Sequence, residues 1–321
     1  MAFFLSLLGR INILADLLAD KVTMRGTIII PLKKTAIFTR SMYQYIDKEF
    51  NKDFTKHYSL LFQLDEQQYS YAIYEKRSGN LHVLKSVQLN SASSGDMLNK
   101  LRISVTSEDL LQVPFSEVKI GITNTAFTLI PRVIFEEEMT KNYLELSAEV
   151  KKEDHILVNN INKIFIKNVF SIPDQEFKYV NDIFSSPKLF HIGTALLETV
   201  VRNKDNFFKQ QLIIDIKPGI LHILFFENKE FKFMNQFRFV NKDDFLYYVL
   251  LVADQYAVDR NSCDLKLSGE IMPDSLLFGE LWKFFKTISF LPTNENIILP
   301  KDMQEKPLYI HNSLLSLDLC E

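Results

Sequence analysis

A chain of 321 residues that is 47% apolar exceeds the usual size of one compact core and can fill two. Its 37 Lys and Arg nearly balance 40 Asp and Glu, and a net charge of -3 offers no field to draw polyphosphate backbones or anionic lipid, which disfavours nucleic-acid and membrane-surface binding. Cys263 and Cys320 lie far apart and outside any C-x-x-C, so neither a disulfide framework nor a zinc site is suggested and a reducing, cytoplasmic compartment is expected.

The chain opens with Ala2-Phe3-Phe4-Leu5-Ser6-Leu7-Leu8, which has no preceding Lys or Arg and is followed at once by Arg10, Asp16 and Asp20. That flanking argues against a secretory leader and for a short amphipathic helix. No later apolar run approaches the roughly 20 residues of a helical membrane span. Residues 1–41 match nothing later in the chain and are expected to be an appendage, with Met24 and Met42 as alternative starts. Deleting Met1 to Arg40 is expected to leave the body folded.

Strand signals then sharpen. Leu60 to Leu64, Tyr69 to Tyr74 and Leu81 to Leu89 predict a three-strand meander, with turns at Asp65-Glu66-Gln67-Gln68 and Lys76 to Asn80. A helix opening at Asp96 and a strand over Val118 to Ile122 follow. Phe127 to Val158 reads as an inserted strand and helix. Farther on, Lys163 to Phe170 predicts a strand, Pro173-Asp174 a helix start, Leu189 to Ile192 a strand and Thr194 to Val201 a helix.

The same order recurs about 150 residues later. Leu212 to Ile216, Ile220 to Phe226 and Phe231 to Val240 predict strands, Asp243-Asp244 cap a helix, and Leu265 to Gly269 is the next strand. Placing Gln63 over Asp215 brings Tyr69, Tyr71 and Ile73 over Leu221, Ile223 and Phe225. A two-residue shift then brings Leu81 and Val83 over Phe231 and Phe233. After Leu291-Pro292 the pattern thins until Leu314 to Leu319, a segment expected to dock on the body.

Strand, hairpin strand, third strand, helix and fourth strand, given twice, resembles the tandem ribonuclease-H-like units of the actin-like ATPase superfamily. Through His57-Tyr58-Ser59-Leu60, Phe127-Thr128-Leu129-Ile130-Pro131 and Leu314 to Glu321 the chain also resembles an uncharacterised family of Bacteroidetes proteins, domain of unknown function 3822, whose fold is actin-like. The resemblance implies a bacterial α/β protein of duplicated ribonuclease-H-like halves. Residues 42–202 form the first half with its insertion, residues 203–292 the second, and residues 293–321 a docked tail.

In that superfamily two hairpins hold phosphate tails, each using an Asp to organise magnesium and small residues so that N–H groups approach oxygen, while a late glycine pair accommodates adenosine. Here the first hairpin, Gln63 to Gln68, has no glycine and carries Asp65 and Glu66 where phosphate would sit, so like charge opposes like. The second, Asp215-Ile216-Lys217-Pro218-Gly219, keeps the Asp but has Lys for glycine, and Pro218 lacks an N–H. Leu267-Ser268-Gly269-Glu270 keeps one glycine and adds a carboxylate. No two of the 9 glycines lie closer than Gly269 and Gly279, which excludes a Walker loop, G-x-G-x-x-G and G-x-S-x-G. His82 and His222 fall within predicted strands and read as sheet residues.

The sequence thus favours a non-catalytic binding or assembly module with degenerate nucleotide loops, a protein partner and no cofactor. The rival is a divergent ATPase or phosphotransferase, in which Asp215 organises magnesium, Lys217 meets phosphate, and Gly219 and Gly269 approach ATP. A third possibility is a structural partner docked through the N-terminal appendage.

Overall fold

The computed structural model describes residues 43–89, 94–304 and 306–321. The expected appendage therefore lies outside the described residues. The first sheet is built from β1 (Gln44–Ile46), β2 (Tyr58–Leu64), β3 (Gln68–Glu75), β4 (Leu81–Gln88), β5 (Glu117–Ile122) and β9 (Lys188–His191), in the order β1-β4-β3-β2-β5-β9. Helix α1 (Ser94–Thr106) joins β4 to β5. Every residue of β2 is buried, as a strand covered on both faces requires, and this is why its sequence reads as an unbroken apolar run rather than an alternation.

Between β5 and β9 the chain forms β6 (Phe127–Pro131), α2 (Thr140–Glu145), β7 (His155–Ile161), β8 (Ile166–Ile172) and α3 (Asp174–Ile183). The strand expected over Lys163 to Phe170 is corrected in extent and in partnership. It starts at Ile166, after a 3-10 turn at Asn162–Ile164 that ends with Phe165 at φ 55. As β8 it is the centre of a separate antiparallel sheet, β6-β8-β7.

After α4 (Ile192–Arg202) the second sheet uses β10 (Gln210–Lys217), β11 (Ile220–Glu227), β12 (Glu230–Arg238), β13 (Asp264–Gly269) and β14 (Thr287–Phe290), in the order β12-β11-β10-β13-β14. Apart from β1 this is the order of the first sheet, and the registers agree. Gln63 pairs with Ser70 and Gly121 as Asp215 pairs with His222 and Ser268. The two-residue shift read from sequence lies in the turn: Leu81 follows Glu75 by 6 positions, whereas its counterpart Phe231 follows Glu227 by 4. The strands themselves agree even in their irregularity, which falls between Ile73 and Tyr74 in one sheet and between Phe225 and Phe226 in the other. Helix α5 (Lys242–Gln255) is capped by Asn241, not by the expected acidic pair; Asp244 completes the capping box. A short helix, α6 (Leu276–Trp282), leads to β14.

The remaining layer is helical and lies between the sheets. All residues of α4 from Ile192 to Val201 are buried, with Leu197, Val200 and Val201 against Ile213, Leu224, Phe226 and Met234 of the second sheet. The C-terminal segment comprises a 3-10 turn (Leu308–His311), α7 (Asn312–Leu315) and a second 3-10 turn (Ser316–Leu319). Its Leu314, Leu315 and Leu317 pack with Leu61, Ala72 and Leu84 of the first sheet. The segment that sequence placed against the body is thus part of its core. Leu315, fully buried, is predicted to lose about 2–5 kcal/mol of stability on replacement by Ala, the range of buried Leu truncations. Urea unfolding measures this, and a loss within a few tenths of a kcal/mol would make the segment peripheral.

Candidate functional site

Alternation along β2 and β10 sends one set of side chains outward and the other toward the helical layer. Leu60, Phe62 and Leu64 join the outer core of the first sheet, as Leu212, Ile214 and Ile216 join that of the second. The intervening positions bring Gln63 and Asp65 of one hairpin and Asp215 and Lys217 of the other to the region where the sheets meet.

Asp65 is buried and saturated with donors. Gln63 Nε2 lies 2.8 and 3.0 Å from its two oxygens, Thr123 Oγ1 lies 2.6 Å from Oδ1, and Gln68 Nε2 lies 3.3 Å from Oδ2. Gln63 Oε1 accepts from Ser313 Oγ of the C-terminal segment at 3.0 Å. Gln68 also reaches across to the second sheet, donating through Nε2 to Glu270 Oε1 at 2.7 Å. Nearby, Arg238 grips Glu66 with both arms, Nη1 to Oε2 at 2.9 Å and Nη2 to Oε1.

Asp215 is wholly buried. Its Oδ1 accepts from Ser268 Oγ at 2.7 Å, while Oδ2 lies 3.7 Å from His222 Nδ1, beyond hydrogen-bond distance, and neither of those two atoms has a hydrogen-bond partner. His222 Nε2 and Gln236 Oε1 are 2.9 Å apart. Burial by itself would raise the Asp215 pKa, but the Lys217 ammonium, His222 and Ser268 reverse this and hold it below the usual carboxylate range. Glu270 goes the other way: burial raises its pKa, the Asp65 and Asp215 charges add to the rise, and Lys217 and Gln68 offset only part of it. Burial, with the Lys217 charge added, lowers His311 to about 3 and leaves it a neutral imidazole.

All four residues singled out from sequence lie in this region, but they are held there by the backbone and by one another. Gly269 takes φ +81, and a Cβ there would meet Ile216 O at 2.1 Å. Gly219 takes φ +75 in the turn between β10 and β11. Both conformations are demanded whether or not a ligand binds. The residues present do not fit magnesium nucleotide. The Asp65 N–H is used by Gln68 O, Pro218 has none, and Lys217 lies among carboxylates, close enough to Asp215 and Glu270 to act on both, while Asp65 and Asp215 both act on Glu270. Among the described residues, no group of three or more His, Cys, Asp and Glu could hold a metal ion. Sequence reasoning missed Gln68, Thr123, His222, Gln236, His311 and Ser313. For His222 the signal was present, because a two-residue turn at Pro218-Gly219 pairs it with Asp215.

Two expectations follow from this geometry. Gly269→Ala should cost at least about 3 kcal/mol in chemical denaturation, since it adds a clash to a left-handed backbone; a change below about 1 kcal/mol would show that β10 and β13 can separate. Glu270, with a folded pKa above its ordinary 4.5, contributes stability below that pH and loses it as pH rises through the raised value. Glu270→Gln keeps an acceptor for Gln68 and removes the partly buried charge. Its melting temperature relative to the parent chain should therefore increase from acid to neutral pH, and a difference independent of pH would refute the assignment.

The sequence profile of a family described as protein of unknown function (DUF3822) matches residues 47–288. None of the curated proteins matches the chain. A Bacteroides thetaiotaomicron protein with actin-like ATPase fold and unknown function is 20% identical, with a TM-score of 0.71 over 85% of this chain and 99% of that one. A chain of the PilM–PilN type IV pilus biogenesis complex is 10% identical, with a TM-score of 0.54 over 81% of this chain and 97% of that one. With two sheets of matching order, a helical layer between them and a profile match across most of its length, this chain has an actin-like fold and belongs to the DUF3822 family of proteins of unknown function.

Proposed function

We propose that this protein is a non-catalytic binding or assembly module that keeps an actin-like body and acts through its surface on a protein partner. The observation that carries the reading is the 2.7 Å bond from Gln68 to Glu270, which joins the first hairpin to the end of β13 where an actin-like ATPase would open to nucleotide. Around it are carboxylates where a polyphosphate would need donors. Opposing like charges at close range in a partly dry site cost far more than one ammonium returns. The structural likeness to a chain of a pilus biogenesis complex supports an assembly role for the fold without identifying a partner. On this reading the two sheets descend from one duplicated unit, and the chain works in a bacterial cytoplasm, where Cys263 and Cys320, both buried and free, stay reduced.

The rival phosphotransferase reading draws on Lys217, a buried ammonium next to Asp215. One measurement separates the two. A ligand at about 100 times its Kd adds about 2.7 kcal/mol to folding, several degrees in a melt. Millimolar ATP with magnesium is expected to leave the melting temperature unchanged. A rise that Asp215→Ala abolishes would replace the module with an ATPase and give Asp215 the metal.

A further inference from the structure

Away from the inter-sheet region, the second half carries a strip of near-parallel aromatic rings. Trp282 stacks on Phe278 at 6.0 Å, Phe278 on Phe290 at 6.1 Å, and Phe290 on Tyr309 at 3.9 Å, with interplanar angles of 15, 18 and 17°. The Tyr309 hydroxyl donates to Met272 Sδ at 3.6 Å. Helix α6 explains the outer half of this arrangement. Leu277 and Leu281 face the core one turn apart, so Phe278 and Trp282, also one turn apart, lie on its flank. The strip is not closed over by the described residues: Trp282 is 57% exposed, and Phe278, Phe290, Tyr309 and Met272 are each half-buried. A run of stacked rings with an exposed Trp at one end has the composition of a binding surface rather than of scattered surface residues.

The chain itself indicates what covers it. The described residues begin at Tyr43, whose ring lies 5.1 Å from that of His311, two residues from Tyr309 in the same 3-10 turn. Tyr43 and Leu308 pack in one apolar cluster. Residues 1–42 therefore join the body at the Tyr309 end of the strip. Their sequence carries Phe4, Leu7, Leu8, Ile11, Leu14, Ala15 and Leu18 at the spacing of one helix face, with Leu5, Ile13 and Leu17 set among Ser6, Gly9, Asn12, Asp16 and Asp20 on the rest. At about 1.5 Å per residue, a dozen helical residues would match the length of the strip, and the remaining residues before Tyr43 are ample to span back to it. Lipid is the weaker occupant, because Lys242 and Lys283 beside α6 are already paired with Glu280.

We propose that residues 4–18 of the same chain lie on the Trp282–Phe278–Phe290–Tyr309 strip as an intramolecular cover. Trp282 is the sole tryptophan of the chain and reports on its own surroundings. The test compares its emission and its quenching by acrylamide in the full chain, in full-length Leu7→Asp/Leu8→Asp/Ile11→Asp, and in a chain starting at Met42. A shielded Trp282 in the full chain, with red-shifted emission and several-fold stronger quenching in either folded variant, is the expected result. If either variant fails to fold, the other and the full chain still decide. Emission from the full chain like that of free indole, or equal quenching throughout, overturns the proposal. So does shielding that disappears on dilution together with a dimer, since the cover would then come from a second copy.

Discussion

Each sheet ends in a helical segment that packs on the other sheet, and the rest of the fold depends on this exchange. Helix α4 leaves β9 of the first sheet and buries Leu197, Val200 and Val201 against the second; the segment after β14 buries Leu314, Leu315 and Leu317 against the first. Neither sheet can cover its inner face with its own segment alone, and apolar strand faces left to water would forfeit on the order of 25 cal/mol for each Å². The exchange is fastened at its polar points. Buried Lys119 donates to the carbonyls of Asp318 and Cys320 at 2.8 and 2.6 Å, satisfying the acceptors that a helix end leaves open, and Thr199 bonds Ser316 where α4 and the C-terminal segment touch. His191 caps the start of α4, its Nδ1 accepting from Gly193 N at 3.1 Å while Nε2 lies 3.0 Å from Asn124 O. Burial lowers His191 to about 3, which keeps the ring neutral and able to accept.

Once the layer is fixed, the hairpins have little freedom. Ser313 reaches Gln63, Gln63 reaches Asp65, Gln68 reaches both Asp65 and Glu270, and Gln88 donates to Gln68 Oε1 at 2.6 Å. Such a network is stable only when nearly every member is satisfied, because an unpaired buried group costs more than one bond returns. Amide side chains suit this role: each can both donate and accept, so Gln68, held by Gln88, links the Asp65 and Glu270 carboxylates that would otherwise repel one another.

Much of the fold could be read from the sequence because each strand had its own local signal. The overlay of Gln63 on Asp215 and the two-residue shift needed only the alternation of Tyr69, Tyr71 and Ile73 against Leu221, Ile223 and Phe225. What escaped was non-local. β8 looks like any other strand until β6 and β7 pair with both of its edges. The apolar run Leu314 to Leu319 marked the C-terminal segment as docked, but three short helical turns carry no periodic stretch that would place it between the sheets. At the site, the acidic character of Asp65, Glu66 and Glu270 was legible because charge belongs to the residue. Its use was not, because Gln68 and Glu270 are 202 positions apart.

Gly269 and Asp215 show why residues retained at a superfamily's ligand positions are weak evidence for the ligand. Gly269 is where the resemblance would put an adenosine contact, yet the carbonyl of Ile216 already forbids any Cβ there. Asp215 is where the resemblance would put a magnesium organiser, yet its Oδ1 accepts from Ser268 and its charge is balanced by Lys217 and His222 inside the protein. A fold that brings two hairpins together needs a turn, a close strand contact and neutralised charge at these points before any ligand arrives. The discriminating positions are those that scaffold demands leave free, Glu270 and Gln68 foremost. There this chain has side chains that bond to each other across the gap between the sheets.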